Sequence, residues 1–237
     1  MAKNALLNNI DHKDLRVITK RSAQFGDDVM SALTFPEEFR SIQAHYPIVF
    51  GKTPDGQFQP LALFGFKQGQ NLFLANDRWD ATYVPLMIER QPFLIGAGGN
   101  GELQMHIDLD NPRVSRTEGE ALFRDHGGTS EFIERINSVL LAIHEGMADT
   151  PAFVAALLEH NLLESFVFDI ELADGAQNRL VGFYTIHEER LRALDGAVLE
   201  KLNKAGHLQA IFMIIASLSN FRGLIERQQN FLQASHA

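Results

Sequence analysis

Between Tyr46 and Asp80 three apolar runs, Ile48 to Phe50, Leu61 to Phe66 and Leu72 to Ala75, are separated by Pro54-Asp55-Gly56 and by Lys67 to Asn71. Apolar runs of that length punctuated by turn residues predict strand, turn, strand, turn, strand, an antiparallel meander. In the middle run Leu61 and Leu63 point one way and Ala62, Phe64 and Phe66 the other, so both faces of that strand need cover. Upstream, Leu15 to Ile18 predicts a short edge strand and Lys20 to Asp28 a polar, flexible connection. Thr34 has the character of an N-cap, with Pro36 in the first turn and Glu37 and Glu38 at the positive end of the dipole, which predicts a helix to about Ala44. Downstream, Pro85 to Arg90 predicts one or two helical turns, and Pro92 stops them before a strand, Phe93 to Ile95. Then Leu103, Met105, Ile107 and Leu109 share one face of a strand and Gln104, His106 and Asp108 the other.

From Ser130 the period becomes helical. Phe132, Ile136, Val139 or Leu140, Ile143 and Met147 form one stripe, and Thr150-Pro151 supplies a cap and first turn for a second helix, Ala152 to His160. Phe166, Phe168, Ile170 and Leu172 alternate against Val167, Asp169 and Glu171. Asp174-Gly175 then turns the chain into Leu180 to Ile186, a second hairpin. Asp55 and Asp174 are each followed by Gly and, six positions on, by Leu61 or Leu180, a two-point match that common hairpin chemistry explains without a duplication. Helices follow at Glu188 to Leu194, Ala197 to Lys204 and Leu208 to about Gln228. In the last, Leu208, Ile211, Ile215, Leu218 and Ile225 form a stripe while Phe212, Met213 and Ile214 spread apolarity around the circumference, which predicts burial on several sides. The fold class expected is α+β, mainly antiparallel sheet with packed helices and a long buried C-terminal helix. The chain forms one domain, 1–237, or two lobes: about 1–128, rich in β, and about 129–237, a helical pair, a hairpin and the C-terminal helices.

The 237 residues suffice for a sizeable core, and 45% hydrophobic with 22% charged residues is the composition of a soluble globular protein. A net charge of −9 excludes nucleic acid as an expected partner, because phosphate neutralisation needs a basic surface. Without cysteine there is no disulfide, thiolate nucleophile or iron–sulfur cluster, which favours the cytoplasm. Asn8 and Asn9 interrupt the apolar Ala5 to Ile10, so no signal-peptide core is expected. Leu208 to Leu218 is about half the roughly 20 residues of a bilayer span, so no membrane span is expected either.

Tyr46-Pro47-Ile48-Val49-Phe50, the hairpin after it, and Asn76-Asp77-Arg78-Trp79 leading to Tyr83-Val84-Pro85 carry a family resemblance. Asp108 to Phe123 and Gly206 to Arg227 agree with it, so it covers nearly the whole chain. The sequence resembles the bacterial SapC family, soluble proteins of about this length that take their name from a paracrystalline surface layer. They are often encoded beside tryptophan-halogenase-like and cupin-like proteins and outer-membrane receptors. The peptide-transporter permease of the same name is a different protein, with several membrane spans. The resemblance carries over no catalytic residue. It implies a non-catalytic binding or assembly protein with a protein partner or self-association, with room for a small-molecule ligand. The alternative it implies is an enzyme or accessory protein acting with halogenase-like or cupin-like partners on an aromatic or peptide substrate. A place at the cell surface would require export without an N-terminal signal.

Gly96-Ala97-Gly98-Gly99-Asn100-Gly101 has the glycine spacing of a dinucleotide loop. That chemistry needs a helix N-terminus aimed at the pyrophosphate, and the alternating Leu103 to Leu109 predicts a strand there instead. No cofactor is expected. No Gly-x-Ser-x-Gly elbow follows a strand. The nine histidines include no His-Glu-x-x-His, and His106 with Asp108 makes two ligands without a third, so no metal is expected. Asp108-Leu109-Asp110-Asn111 starts like a calcium loop, meets Pro112, and reads as a turn with an Asp cap. Glu37-Glu38 and Glu188-Glu189 read as helix-start acids, and Phe212 and Met213 as core. The candidate ligand site is Asn76, Asp77, Arg78, Trp79 and Asp80: an amide, a guanidinium fork, two carboxylates and the only tryptophan in a loop leaving a core strand. The alternative for the same residues is Arg78 paired with Asp77 or Asp80 and stacked on Trp79, pinning the loop.

Overall fold

A computed structural model of the chain describes residues 3–99, 101–171 and 177–235. In chain order the elements begin with β1 (Asn4–Leu6), β2 (Arg16–Val17), β3 (Ser31–Leu33) and α1 (Phe39–Ile42), followed by β4 (Ile48–Lys52) and β5 (Phe58–Leu63). Next come β6 (Leu74–Ala75), β7 (Arg78–Trp79), α2 (Leu86–Glu89), β8 (Phe93–Ala97), β9 (Leu103–Asp108), β10 (Val114–Ser115) and β11 (Glu120–Ala121). The remainder is α3 (Glu131–Glu159), β12 (Leu163–Glu171), β13 (Gln177–Ile186), α4 (Glu188–Arg192), α5 (Gly196–Lys204), α6 (His207–Ser217) and α7 (Asn220–Ser235). All strand pairs are antiparallel, and the fold class is α+β.

Two compact units interleave along the chain. One contains the chain up to Asp28, Leu74–Asp80 and Leu86–Glu145; the other contains Val29–Phe73, Ala81–Pro85 and the chain from Gly146 onward. The units follow tertiary pairing rather than chain order: β4 pairs with β13, which joins Val29–Phe73 to the chain after Gly146, while Ile133, Ile136 and Leu140 of α3 lie in the core of the first unit.

In the first unit β1, β9 and β8 form one sheet, and β10, β2 and β11 another. The 15–18 strand is therefore central in its sheet, not an edge. The alternation read for β9 positions Ile107 in a core with Phe93, Leu15, Val17, Leu122 and Ile133. The glycines after Ile95 connect β8 directly to β9: Gly98 N–H donates to Glu102 O (2.7 Å) and Gly101 N–H to Gly98 O (3.0 Å). Asn100 lies outside the described residues. Asp108 caps its turn as expected, its Oδ1 accepting from Asp110 N–H (3.1 Å). Gly119, at a φ of 98°, packs so close to the Val17 carbonyl that no Cβ would fit. The 20–28 segment, expected to be flexible, is tied down by buried charge: Asp27 accepts from Arg113, from Arg21 (3.5 Å) and from Ser22 N–H (2.9 Å).

In the second unit one sheet runs β12-β13-β4-β5-β3. β4 and β5 pair as the turn at Pro54-Asp55-Gly56 predicts, with Ile48 opposite Ala62 and Phe50 opposite Pro60. The third member of the expected meander is not beside β5. That edge is taken by β3, with Ala32 opposite Ala62. After Leu63 the chain loops back on itself, Phe66 N–H donating to Gln70 Oε1 (3.1 Å) and Leu72 N–H to Phe64 O (2.9 Å), so only Leu74-Ala75 is strand, paired with β7. The β12–β13 hairpin forms as predicted, and its turn at Asp174-Gly175 lies outside the described residues. The helix expected from Thr34 shrinks to the four residues of α1, because Thr34 Oγ1 donates to the buried carboxylate of Glu38 (2.7 Å) rather than capping.

Thr150-Pro151 does not begin a new helix. α3 passes through Pro151, and Thr150 Oγ1 donates back to Gly146 O (2.7 Å). The ring removes one intrahelical bond, but Phe153, Val154 and Leu157 beyond it are buried, and that burial holds the helix together. The C-terminal helical stretch breaks at Leu218-Ser219 into α6 and α7. Ser217 Oγ donates to Ile214 O (2.6 Å) and accepts from Ile48 N–H (2.9 Å), which satisfies the first amide of β4. Ile211 and Ile214 are buried, whereas Phe212, expected in the core, is 54% exposed. By length and composition alone His207–Ala234 is long and apolar enough to cross a membrane, with a window of mean hydropathy 1.5.

Candidate functional site

In the second unit, three segments far apart in sequence enclose a cleft of about 420 Å³. Pro36 to Arg40 forms one wall, α3 the second through Asp149 and Phe153, and the start of α6 the third through His207, Gln209 and Met213. The first wall is fixed from behind. Glu38, 4% exposed, accepts from Thr34 Oγ1 and from Tyr83 OH (2.9 Å), so its neighbours Glu37 and Arg40 face outward. Phe153 forms the floor. It is buried and meets Phe39 edge-on (centroids 6.0 Å apart) and His207 edge-on (5.4 Å). Asp149 and Phe153 reach the cleft together because they are one helical turn apart on α3, as Gln209 and Met213 are on α6.

The cleft carries both signs of charge. Among the described residues, the side chains of Glu37, Arg40, Asp149 and Gln209 make no hydrogen bond or ion pair. α6 opens at Gly206, whose φ of 75° suits glycine, and no side chain caps its first amides. Burial pushes the His207 imidazole below the usual histidine range, and the Glu37 carboxylate pulls it back only in part, so the ring enters the cleft neutral at pH 7. Neutral imidazole, guanidinium, carboxylates and an amide thus line a partly apolar floor and can accept or donate to one small polar molecule.

The sequence-predicted site folds differently. Leu74 pairs with Trp79 and Ala75 with Arg78, leaving Asn76 and Asp77 as a two-residue loop with φ of 51° and 56°. Two consecutive left-handed residues define a type I′ hairpin, which Asn and Asp tolerate best after glycine. Trp79 is buried at 8% exposure and anchors the hairpin, and Arg21 N–H donates to Asp77 O (3.1 Å). Asn76, Asp77, Arg78 and Asp80 are exposed. The Arg78 side chain makes no ion pair, hydrogen bond or ring contact with a described residue, so the alternative stack of Arg78 on Trp79 does not form. The five residues form one hairpin, with Trp79 buried and the other four exposed.

A family model for SapC matches residues 7–224 of the chain. The chain belongs to the SapC family. No curated protein and no solved structure matches it. In this SapC protein the segment Asp108 to Phe123, one carrier of the resemblance, contributes Arg113, 1% exposed, to the ion pair with Asp27. Its guanidinium also donates to Ile18 O (3.0 Å) and Lys20 O (2.7 Å) and lies over the Phe25 ring (5.4 Å). Arg21 completes the cluster, bonded to Ile88 O (3.1 Å), with its proton affinity lowered by burial and by Arg113. This is a structural pin, and no spacing in the sequence announces it. The cleft was equally hidden, since Glu37 reads as a helix-start acid and Met213 as core. Among the described residues no three of His, Asp and Glu lie close enough together to hold a metal ion.

Proposed function

We propose that this SapC family member is a non-catalytic binding protein whose cleft between Arg40, Asp149 and His207 takes a small molecule bearing charges of both signs, of the amino-acid or short-peptide class. The observation that supports this reading is the set of charged groups around that cleft that make no hydrogen bond or ion pair with a described residue, two carboxylates and one guanidinium, beside an aromatic floor. A guanidinium matches a carboxylate bidentately, Glu37 and Asp149 match an ammonium group, and Phe153 and Met213 offer contact to an apolar side chain. Titration calorimetry with free amino acids and dipeptides tests it. Saturable binding that weakens about tenfold in Arg40→Ala, and similarly when the ligand's carboxylate is amidated, is the expected result. No saturable binding across the panel, or binding indifferent to Arg40→Ala and Glu37→Ala, would end the proposal.

The hairpin supports a second reading, contact with a protein partner through Asn76, Asp77, Arg78 and Asp80. Its tip is held by Trp79 and by the bond from Arg21, so an exposed and unpaired Arg78 is presented at little entropic cost. A surface-layer protein is the partner the family name suggests, and cell fractionation distinguishes that location from the cytoplasm.

A further inference from the structure

In the first unit one face of the β1-β9-β8 sheet is apolar from end to end, and its cover runs out part-way. Phe93, Ile107 and Ala5 form the innermost row across the three strands, and Ile95 and Met105 the next, with Leu7 joined to Met105 by its N–H (2.9 Å). Ala97 and Leu103 form the outermost row. Phe93 and Ile107 are fully buried under Ile133, Ile136 and Leu140 of α3, whereas Leu103, four residues along the same face, is 41% exposed. The helix ends the cover because it begins only at Glu131.

At that margin lies a cavity of about 340 Å³, floored by Leu7, Met105, Phe123 and Ile133 and rimmed by Thr129, Glu134 and Asn137. The rim is electrically compensated. Glu134 Oε1 accepts from Thr129 Oγ1 (3.3 Å) and faces Arg124 (3.4 Å), while the Asn137 amide has no partner among the described residues. We propose that this cavity is a second ligand site, distinct from the charged cleft, for a small neutral amphiphile: an aliphatic or aromatic body over Met105 and Phe123, with an alcohol or amide head at Asn137. The size lies within the range of small-molecule pockets and is far below what a helix or strand needs. A charged head gains little, because the one carboxylate at the rim already faces a guanidinium in a solvent-exposed pair, so a second ion of either sign finds no free counter-charge to offset its desolvation.

The test is a titration of protein labelled at its Met, Leu and Ile methyls with 1-hexanol, hexanoate and hexylammonium. Saturable shifts of the Met105, Leu7 and Ile133 methyls by hexanol, at affinity about tenfold above both charged homologues, are expected. Met105→Trp, which fills the cavity, should abolish them. Asn137→Ala, on an exposed turn of helix where the fold is not at risk, should weaken hexanol several-fold and leave the weak binding of the ions unchanged. Equal binding of all three probes, absence of saturable shifts at these methyls, or hexanol binding untouched by Asn137→Ala would overturn the proposal.

Discussion

Asp27 and Arg113 form an ion pair from which water is excluded, their side chains 0% and 1% exposed, and the pair fastens the 20–28 segment to the strand that follows Pro112. A buried charge stripped of its partner keeps its desolvation cost and loses its compensation. Asp27→Ala should therefore cost about 3–5 kcal/mol of unfolding free energy in urea titration. The double replacement Asp27→Leu with Arg113→Met should recover much of that loss. Equal losses in the single and double variants would show that the segment is held by something other than this pair.

A side chain at Gly146 would run into the ring of Phe35, since a Cβ there overlaps the ring atoms. Gly223, also helical, has nothing within 4 Å of the same position. The two make an internal control. Gly146→Ala should destabilise by about 1–3 kcal/mol through overpacking. Gly223→Ala should stabilise by about 0.5–1 kcal/mol, because alanine has the better helix propensity. Thermal melts of the two variants read both signs.

The Asn76-Asp77 turn requires positive φ at both positions, which glycine adopts freely and a β-branched residue does not. Asp77→Gly should be neutral or stabilising by up to about 1 kcal/mol, and Asp77→Val should cost about 1–2 kcal/mol. Proteolysis at the hairpin, slowed in the first variant and faster in the second, is the measurement. If Asp77→Gly also abolishes partner binding, the side chain itself is part of the contact.

What was legible in the sequence follows physical scale. β4 with β5, β8 with β9 and β12 with β13 were readable because each is a local pair joined by a turn with its own residue signature. β1 and β3 are three residues long, too short to show a period, and although β2 was readable as a strand, all three find partners 28 to 105 positions away that no local pattern specifies. Pro151 misled because proline's local cost is visible in a sequence and the burial of Phe153 and Leu157 that offsets it is not. The candidate site divides the same way. The rarity of Trp79 marked it as a ligand-site residue and did not show its burial; the cleft likewise draws on residues 37–40, 149–153 and 207–213, and its existence depends on tertiary packing alone.

His207 gives the cleft a pH dependence of definite sign. Burial lowers its pKa in the folded protein, with Glu37 opposing, while in the unfolded chain it titrates near about 6.5. As pH falls through that value the unfolded chain takes up the proton first, so unfolding binds protons and stability decreases with decreasing pH until the folded protein is protonated too. Of the charged groups that line the cleft with it, Glu37 is the one that favours the imidazolium. His207→Gln keeps a polar side chain and removes the titration, so the drop in melting temperature below about pH 6.5 should become shallower in that variant. A wild-type profile flat from about pH 7 to 5, or an unchanged slope in His207→Gln, would mean that the imidazole is solvated like one on an open surface, and the cleft would lose its only desolvated base.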